Sequence, residues 1–218
     1  MQLNDNRGYG HFAALHGAPP PVECPHNSPL FLPWHRAYLY FFEMSLRDLR
    51  PNVTLPWWDW TSGRLPPAWT DLAAGNPLAS AAIPQRARVS GEGPRTVRGS
   101  LRQLPNAAQV DAALARDDFL DFNDAVEQLH NQVHGAIGGS MGSINTAAYD
   151  PIFWVHHCFV DRLWRLWQLR HSGSGLPNTL LDQALAPFPV TVRQTVSVTS
   201  MGYDYARATI SAPFKAAA

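Results

Sequence analysis

Two stretches of this chain carry histidine into sequence that otherwise reads as buried helix, and that conflict limits what the chain can fold into. PWHRAYLYFFEMSLRDL (33–49) sets Leu39, Phe42 and Leu46 at helical spacing, yet His35 stands at its entrance, directly after Pro33 and Trp34. PIFWVHHCFVDRLWRLWQLR (151–170) is a second aromatic-rich helical pattern, with His156 and His157 near its start. A single imidazole in such a place is more often a hydrogen-bonded core residue than a ligand, so the other histidines decide. LHNQVH places His130 and His134 four apart on a helix expected over roughly 117–136, which projects both rings from one face a turn apart. His157 can supply a third nitrogen. In the N-terminal half, His16 ends a short helix expected over 4–16, His26 lies in a loop with six prolines between 18 and 33, and His35 opens the next helix. Six of the nine histidines therefore sort into two triplets; His156 reads as structural, and His11 and His171 as lying outside them.

An isolated HxxxH is a weak signal, since a surface pair gives the same spacing. Two triplets on apolar helices are stronger, because six desolvated imidazoles without a metal would each need a hydrogen-bond partner in the core. All-imidazole ligation suits Cu, Zn, Fe or Ni, and the lack of carboxylate ligands disfavours Mg, Ca and Mn. Di-iron carboxylate chemistry fails. Glu127-x-x-His130 has the required form, but Glu23-x-x-His26 sits among prolines, and the chain has only four glutamates in all.

Composition sets the frame. The 218 residues suit one domain, read as a histidine-bearing half over about 9–60, loops over about 61–116, a second such half over about 117–171, and a C-terminal part over about 172–210. The run TVRQTVSVTS (191–200) alternates and is rich in β-branched residues, which predicts a strand. The expected class is mainly α, with long loops and a few short strands. Zero formal net charge and no Lys/Arg block make nucleic acid and anionic membrane poor partners. No apolar run reaches membrane-spanning length and no signal peptide is visible, so the expectation is a cytoplasmic protein or the mature form of an exported one. Two cysteines, Cys24 and Cys158, make no disulfide framework.

HNSPLFLPWHRAYLYFFE (26–43) resembles the first copper signature of the tyrosinase family throughout. DPIFWVHHCFVD (150–161) resembles the second, in which the latter of the paired histidines is the ligand. LPWWDW (55–60), HNQVH (130–134) and a tyrosine motif at Gly202-Tyr203-Asp204-Tyr205 extend the likeness. The resemblance implies a four-helix bundle around a binuclear copper site, with His16, His26 and His35 on one copper and His130, His134 and His157 on the other. It implies O2 and small phenols as partners, and a tyrosinase that hydroxylates monophenols to o-diphenols and oxidises these to o-quinones. A catechol or o-aminophenol oxidase without the first activity is the nearer alternative; a haemocyanin-like O2 carrier is the remote one. Oligomeric state and the need for a copper-delivery accessory protein stay open.

The same resemblance suggests roles around the ligands. Cys24-Pro25-His26 has the C-x-H form in which fungal members and molluscan haemocyanins join sulfur to imidazole; a free thiol or a Cys24–Cys158 disulfide are the alternatives. Glu127 and Asn131 stand where fungal tyrosinases hold a proton-accepting water. Ile144 falls where plant catechol oxidases carry a gating phenylalanine, and Gly135 leaves little bulk at the mouth. Glu43 and Asp161 are expected to orient imidazoles or to pair with Arg36 and Arg162, and Arg7 is a candidate partner for the tyrosine motif. The chain is short for the family, so a C-terminal shielding domain is not expected.

Overall fold

The computed structural model describes residues 5–17, 23–70, 78, 100–171 and 175–206. Helix α1 (Tyr9–His16) leads through the proline-rich loop to α2 (Phe31–Arg47). After α3 (Ala107–Leu114) come the two longest helices, α4 (Phe119–Ile137) and α5 (Pro151–Arg170), followed by the short turns α6 (Asn178–Leu181) and α7 (Val192–Thr195). The architecture is mainly helical: three long helices with the two-turn α1 laid beside them. Half of the loop region expected over 61–116 falls at 71–77 and 79–99, outside the described residues.

The helix boundaries follow from capping chemistry. Asp118 accepts from the backbone N–H of Leu120 and Asp121 at 2.8 and 3.1 Å to start α4. Asp150 does the same for Ile152 at 3.0 Å, with Pro151 at the first helical position, where its missing N–H costs nothing. α2 begins at Phe31 rather than at Trp34, the start expected for a helix over 34–49, because Pro33 falls within its first turn, where no intrahelical N–H bond is needed. His35 is therefore one turn inside α2 rather than at its entrance.

α5 is buried on every side from Ile152 to Trp164, as expected of a central helix. The first half of α2 is likewise enclosed, and the helices meet through stacked Phe42 and Trp154, whose ring centroids lie 3.8 Å apart. LPWWDW crosses α5: the Trp58 N–H donates to the Val155 carbonyl at 3.0 Å, and Trp60 meets Phe159 edge-on at 4.8 Å.

The expected strand at 191–200 does not form. Thr191 and Gln194 make a capping box that opens α7, and the sole β-bridge among the described residues joins Ala184 to Thr191. The buried positions are Val192, Thr195 and Val198, a spacing of three that the alternating valines and threonines disguised as two.

Candidate metal centre

The first pocket is assembled from three elements. His16 closes α1, His26 comes from the loop and His35 from α2. The His16 Nδ1–H donates to the Ile144 carbonyl at 3.1 Å, and the His35 Nδ1–H to the Phe31 carbonyl at 2.8 Å. Each carbonyl fixes the tautomer and leaves Nε2 bare, the form a metal requires. Gly17 permits this close approach, since a Cβ there would meet the carbonyl oxygens of Ile144 and Asn145 at 2.6 Å. The Cys24 Sγ sits in the same pocket, 3.3 Å from His35 Nε2 and 3.9 Å from His26 Nε2. Neither cysteine is disulfide-bonded, and Cys158 faces a separate cavity beside Tyr203, so the disulfide alternative fails.

The second pocket needs only two helices. His130 and His134 project from adjacent turns of α4, and their Nε2 atoms converge to 2.9 Å. The His134 Nδ1–H donates to the Met141 carbonyl at 2.7 Å. His157 enters from α5, and its ring stacks on His35 of the first pocket at 4.4 Å and 13°, joining the two groups. Phe31 packs against His35 and His130, and Phe153 against His16 and His157, so the signature phenylalanines wedge between the histidines. These wedges and the tautomer-fixing carbonyls escaped the sequence reading; backbone acceptors leave no trace in residue identity.

Ligand atoms of His16, Cys24, His26 and His35 lie within 4.8 Å of one another, as do those of His130, His134, His156 and His157. His156, read as structural, thus joins the second group, its ring parallel to His130 at 5.2 Å and 12°. His11 and His171 lie outside; His171 bonds the Leu114 carbonyl at 3.0 Å.

The donor set fits a pair of metal ions. Burial, aided by mutual repulsion among the rings, holds His16, His35, His130 and His157 well below the ordinary histidine range. Burial takes His134 down to about 4 and lowers His26 as well. The imidazoles are neutral at physiological pH. The buried His16 Nε2 and both ring nitrogens of His157 have no hydrogen-bond partner. Orphaned, neutral nitrogens aimed at common points are costly unless something binds them.

The site opens to solvent through a cavity of about 360 Å³ lined by Asn27, Glu127, Asn131, Gly135, Met141 and Ile144 together with His16, His26, His130 and His134. All four expected accessory residues face it. Ile144 is 45% exposed at the rim, whereas Glu127 is 2% exposed and its Oε1 accepts the Asn27 N–H at 2.7 Å. Burial pushes the Glu127 carboxyl up, partly offset by that N–H. Asn27, at a left-handed φ of 51°, was not foreseen; it bends the loop so that its N–H faces α4.

Of the acids expected near the ligands, Asp161 pairs with Arg36 at 2.5 Å, whereas Glu43 binds Arg47 at 2.7 Å and the Leu55 N–H at 2.8 Å. Arg162 lies over Trp57, 4.4 Å from the ring centroid. Arg7 pairs with Asp5 rather than with the tyrosine motif, whose two hydroxyls bond Asp161 instead.

Two histidine groups gathered among α1, α2, α4 and α5 define a helical domain with the donors to hold two metal ions. A sequence profile described as the common central domain of tyrosinase matches residues 6–96 and 85–170, and the chain belongs to the tyrosinase family, a type 3 binuclear copper family. It is 37% identical over 182 residues to a tyrosinase of Streptomyces glaucescens, covering 69% of this chain and 66% of that protein. It is 34% identical over 204 residues to units Ode to Odg of an Enteroctopus dofleini haemocyanin, covering 79% of this chain and 16% of that one. Among solved structures, a functional unit of octopus haemocyanin matches at a TM-score of 0.79 and 29% identity, over 93% of this chain and 61% of the other. The Burkholderia thailandensis tyrosinase shares the fold at a TM-score of 0.77. The chain thus spans under two thirds of the Streptomyces glaucescens relative and a small part of the haemocyanin. No helix among the described residues is long and apolar enough to cross a membrane.

Proposed function

We propose that this chain holds two copper ions, one through His16, His26 and His35 and the other through His130, His134 and His157, and that it uses O2 to hydroxylate monophenols to o-diphenols and to oxidise these to o-quinones. The observation that carries the reading is the convergence of two neutral imidazole groups on the floor of an open, substrate-sized cavity that also contains a buried carboxylate. The copper pair would supply O2 activation and take electrons from the phenol. The chain's own residues do the rest. Phe31 and Phe153 pack against the rings and hold them apart. Glu127 and Asn131, one turn apart on α4, hold a water that takes the phenolic proton. The raised pKa of Glu127 brings it nearer the range in which a carboxylate passes a proton on, as general-base catalysis requires. Ile144 and Gly135 leave the mouth wide enough for an aromatic ring.

Cys24 is assigned a thioether to His26. Its S–H and one ring C–H would be lost as the S–C bond forms, with the two electrons passing to O2. Thiol titration of the denatured, copper-matured protein should then detect Cys158 alone, and a second thiol would exclude the bond.

Oxygen uptake by the copper-loaded protein with a monophenol and its matching catechol, run in parallel, tests the main reading. Consumption with both supports it, and consumption with the catechol alone assigns a catechol oxidase. The haemocyanin relatives favour one further reading, an O2 carrier, which would bind O2 reversibly and consume it with neither phenol.

A further inference from the structure

Asp161 gathers three donors in the core between α2 and α5. Arg36 Nε reaches Oδ1 at 2.5 Å, and the hydroxyls of Tyr203 and Tyr205 donate to Oδ2 at 2.8 and 2.6 Å. The Arg36 guanidinium lies 3.5 Å from the centroid of the Trp164 ring and donates from Nη1 to the carbonyls of Thr195 and Val196 at 3.0 and 3.2 Å. Both charged side chains are almost wholly buried. A buried ion pair contributes little net stability, because desolvation offsets its attraction, so stability alone is a poor account of this one.

Position gives a better account. Arg36 directly follows His35 on α2, and Asp161 lies one turn beyond His157 on α5. His35 and His157 are the residues whose rings stack across the gap between the pockets. Elsewhere these helices meet through aromatic packing such as Phe42 on Trp154, which tolerates small slips. Charge-assisted bonds from a planar guanidinium do not tolerate them, since they depend on distance and direction together.

We infer that Arg36, Asp161, Tyr203 and Tyr205 form a positioning clamp that sets the register of α2 against α5 at His35 and His157, and with it the spacing of the two metal pockets. The segment from Thr195 to Tyr205 supplies no metal ligand, yet it completes the clamp from outside the bundle. Its two hydroxyls occupy the Asp161 oxygen that Arg36 Nε leaves open, and its carbonyls hold the far side of the guanidinium. Burial keeps both phenols protonated and therefore donating.

The test uses the Tyr203→Phe/Tyr205→Phe double variant, which removes two hydroxyls with little change in volume, and Asp161→Asn beside it. In the metal-free protein, NMR contacts between the ring protons of His35 and His157 should be strong in the parent and weak or lost in the double variant. This arm does not depend on the copper reading. The second arm rests on that reading: the parent loaded with Cu(II) should be largely silent in electron spin resonance, and the variants should show visible copper and bind it about 10–100-fold more weakly. A parent that is not silent would sink the copper-pair reading and leave the ring contacts to decide the clamp. Should Asp161→Asn fail to fold, the double variant decides alone. Unchanged ring contacts in the double variant, whatever its melting temperature, would overturn the clamp and leave these residues a role in folding only.

Discussion

The first pocket draws its histidines from the end of α1, a loop and α2, whereas the second takes two from adjacent turns of α4 and a third from α5. The second is therefore largely built once α4 is helical, since a four-residue spacing places His130 and His134 together whatever the rest of the chain does. The first exists only after tertiary packing. His16 is held by the Ile144 carbonyl from the far half of the chain, and His26 lies next to Asn27, whose N–H bonds Glu127 on α4. One pocket rests on helix geometry and the other on long-range contacts, so the two should fail differently.

Removing a ligand tests this most severely. His130→Ala should empty the second pocket, abolish turnover and leave one copper in the first, because the first pocket takes no ligand from α4. His26→Ala should also abolish turnover, with one copper retained in the second pocket. Metal analysis beside oxygen uptake reads both outcomes, and full activity in either variant would sink the ligand assignment.

Acid should be the next most damaging change, and only for the metal-free protein. The buried histidines have depressed folded-state pKa values, so the unfolded chain binds more protons as pH falls below its ordinary histidine range, near 6.5. Stability is full above that pH. It declines as pH drops through the interval down to the folded values, His134 marking one at about 4. A metal ion on the nitrogens competes with the proton, so the copper-loaded protein should hold its melting temperature further into acid. Parallel melting curves between pH 7 and 4.5 for the two forms would show no divergence if the imidazoles were not facing one another as described.

Gly17→Ala should injure the first pocket selectively. The added methyl would press on backbone carbonyls at 2.6 Å, which cannot swing aside as a side chain can. Overpacking of this kind costs about 1–3 kcal/mol, and relief comes by moving His16 away from the Ile144 carbonyl. Copper should then be lost preferentially from one pocket, giving close to one ion per chain after dialysis against a weak chelator. Retention of both ions would show that α1 can shift without carrying His16 with it.

The contrast also explains what was legible in the sequence. α4 and α5 could be placed within a few residues because their periodicity and Asp caps are local, and His130 with His134 followed from spacing alone. His26 could be grouped with His16 and His35 from its half of the chain, but its role as a ligand came from family resemblance, since a loop residue's destination depends on contacts with chain a hundred residues away. The start of α2 was displaced by Pro33, whose tolerance in a first turn is invisible to a rule that reads proline as a boundary. The strand at 191–200 failed because β-branched residues suit either state when tertiary contacts decide: Arg36 takes the carbonyls of Thr195 and Val196, bonds no sheet ladder could then use. The Asp161 clamp was half visible as an Arg36 partner, while its tyrosines were attached to the wrong arginine.

The smallest expected effect, and the one that chooses between two enzymes, lies where the pockets meet. Glu127 belongs to the helix of the second pocket but is bonded to the loop of the first, so it reports on both. Hydroxylating a monophenol first requires loss of a proton from a group with a pKa near 10. A catechol has the same need, but its oxidation then proceeds by electron transfer alone. General-base assistance is worth about 10²–10⁴-fold, so Glu127→Gln or Asn131→Leu should slow monophenol turnover by at least about tenfold relative to catechol turnover. The Asn131 side chain is exposed to the cavity and bonds no ligand, so its replacement should leave copper content and melting temperature unchanged. Glu127→Gln keeps an oxygen for the Asn27 N–H and so preserves the loop while removing the carboxylate to which the water passes the proton. If both variants instead lose the two activities in equal proportion with copper intact, the pair shapes the cavity and moves no proton. If the parent shows no monophenol turnover even with a catechol primer, there is no such base to remove and the chain is a catechol oxidase.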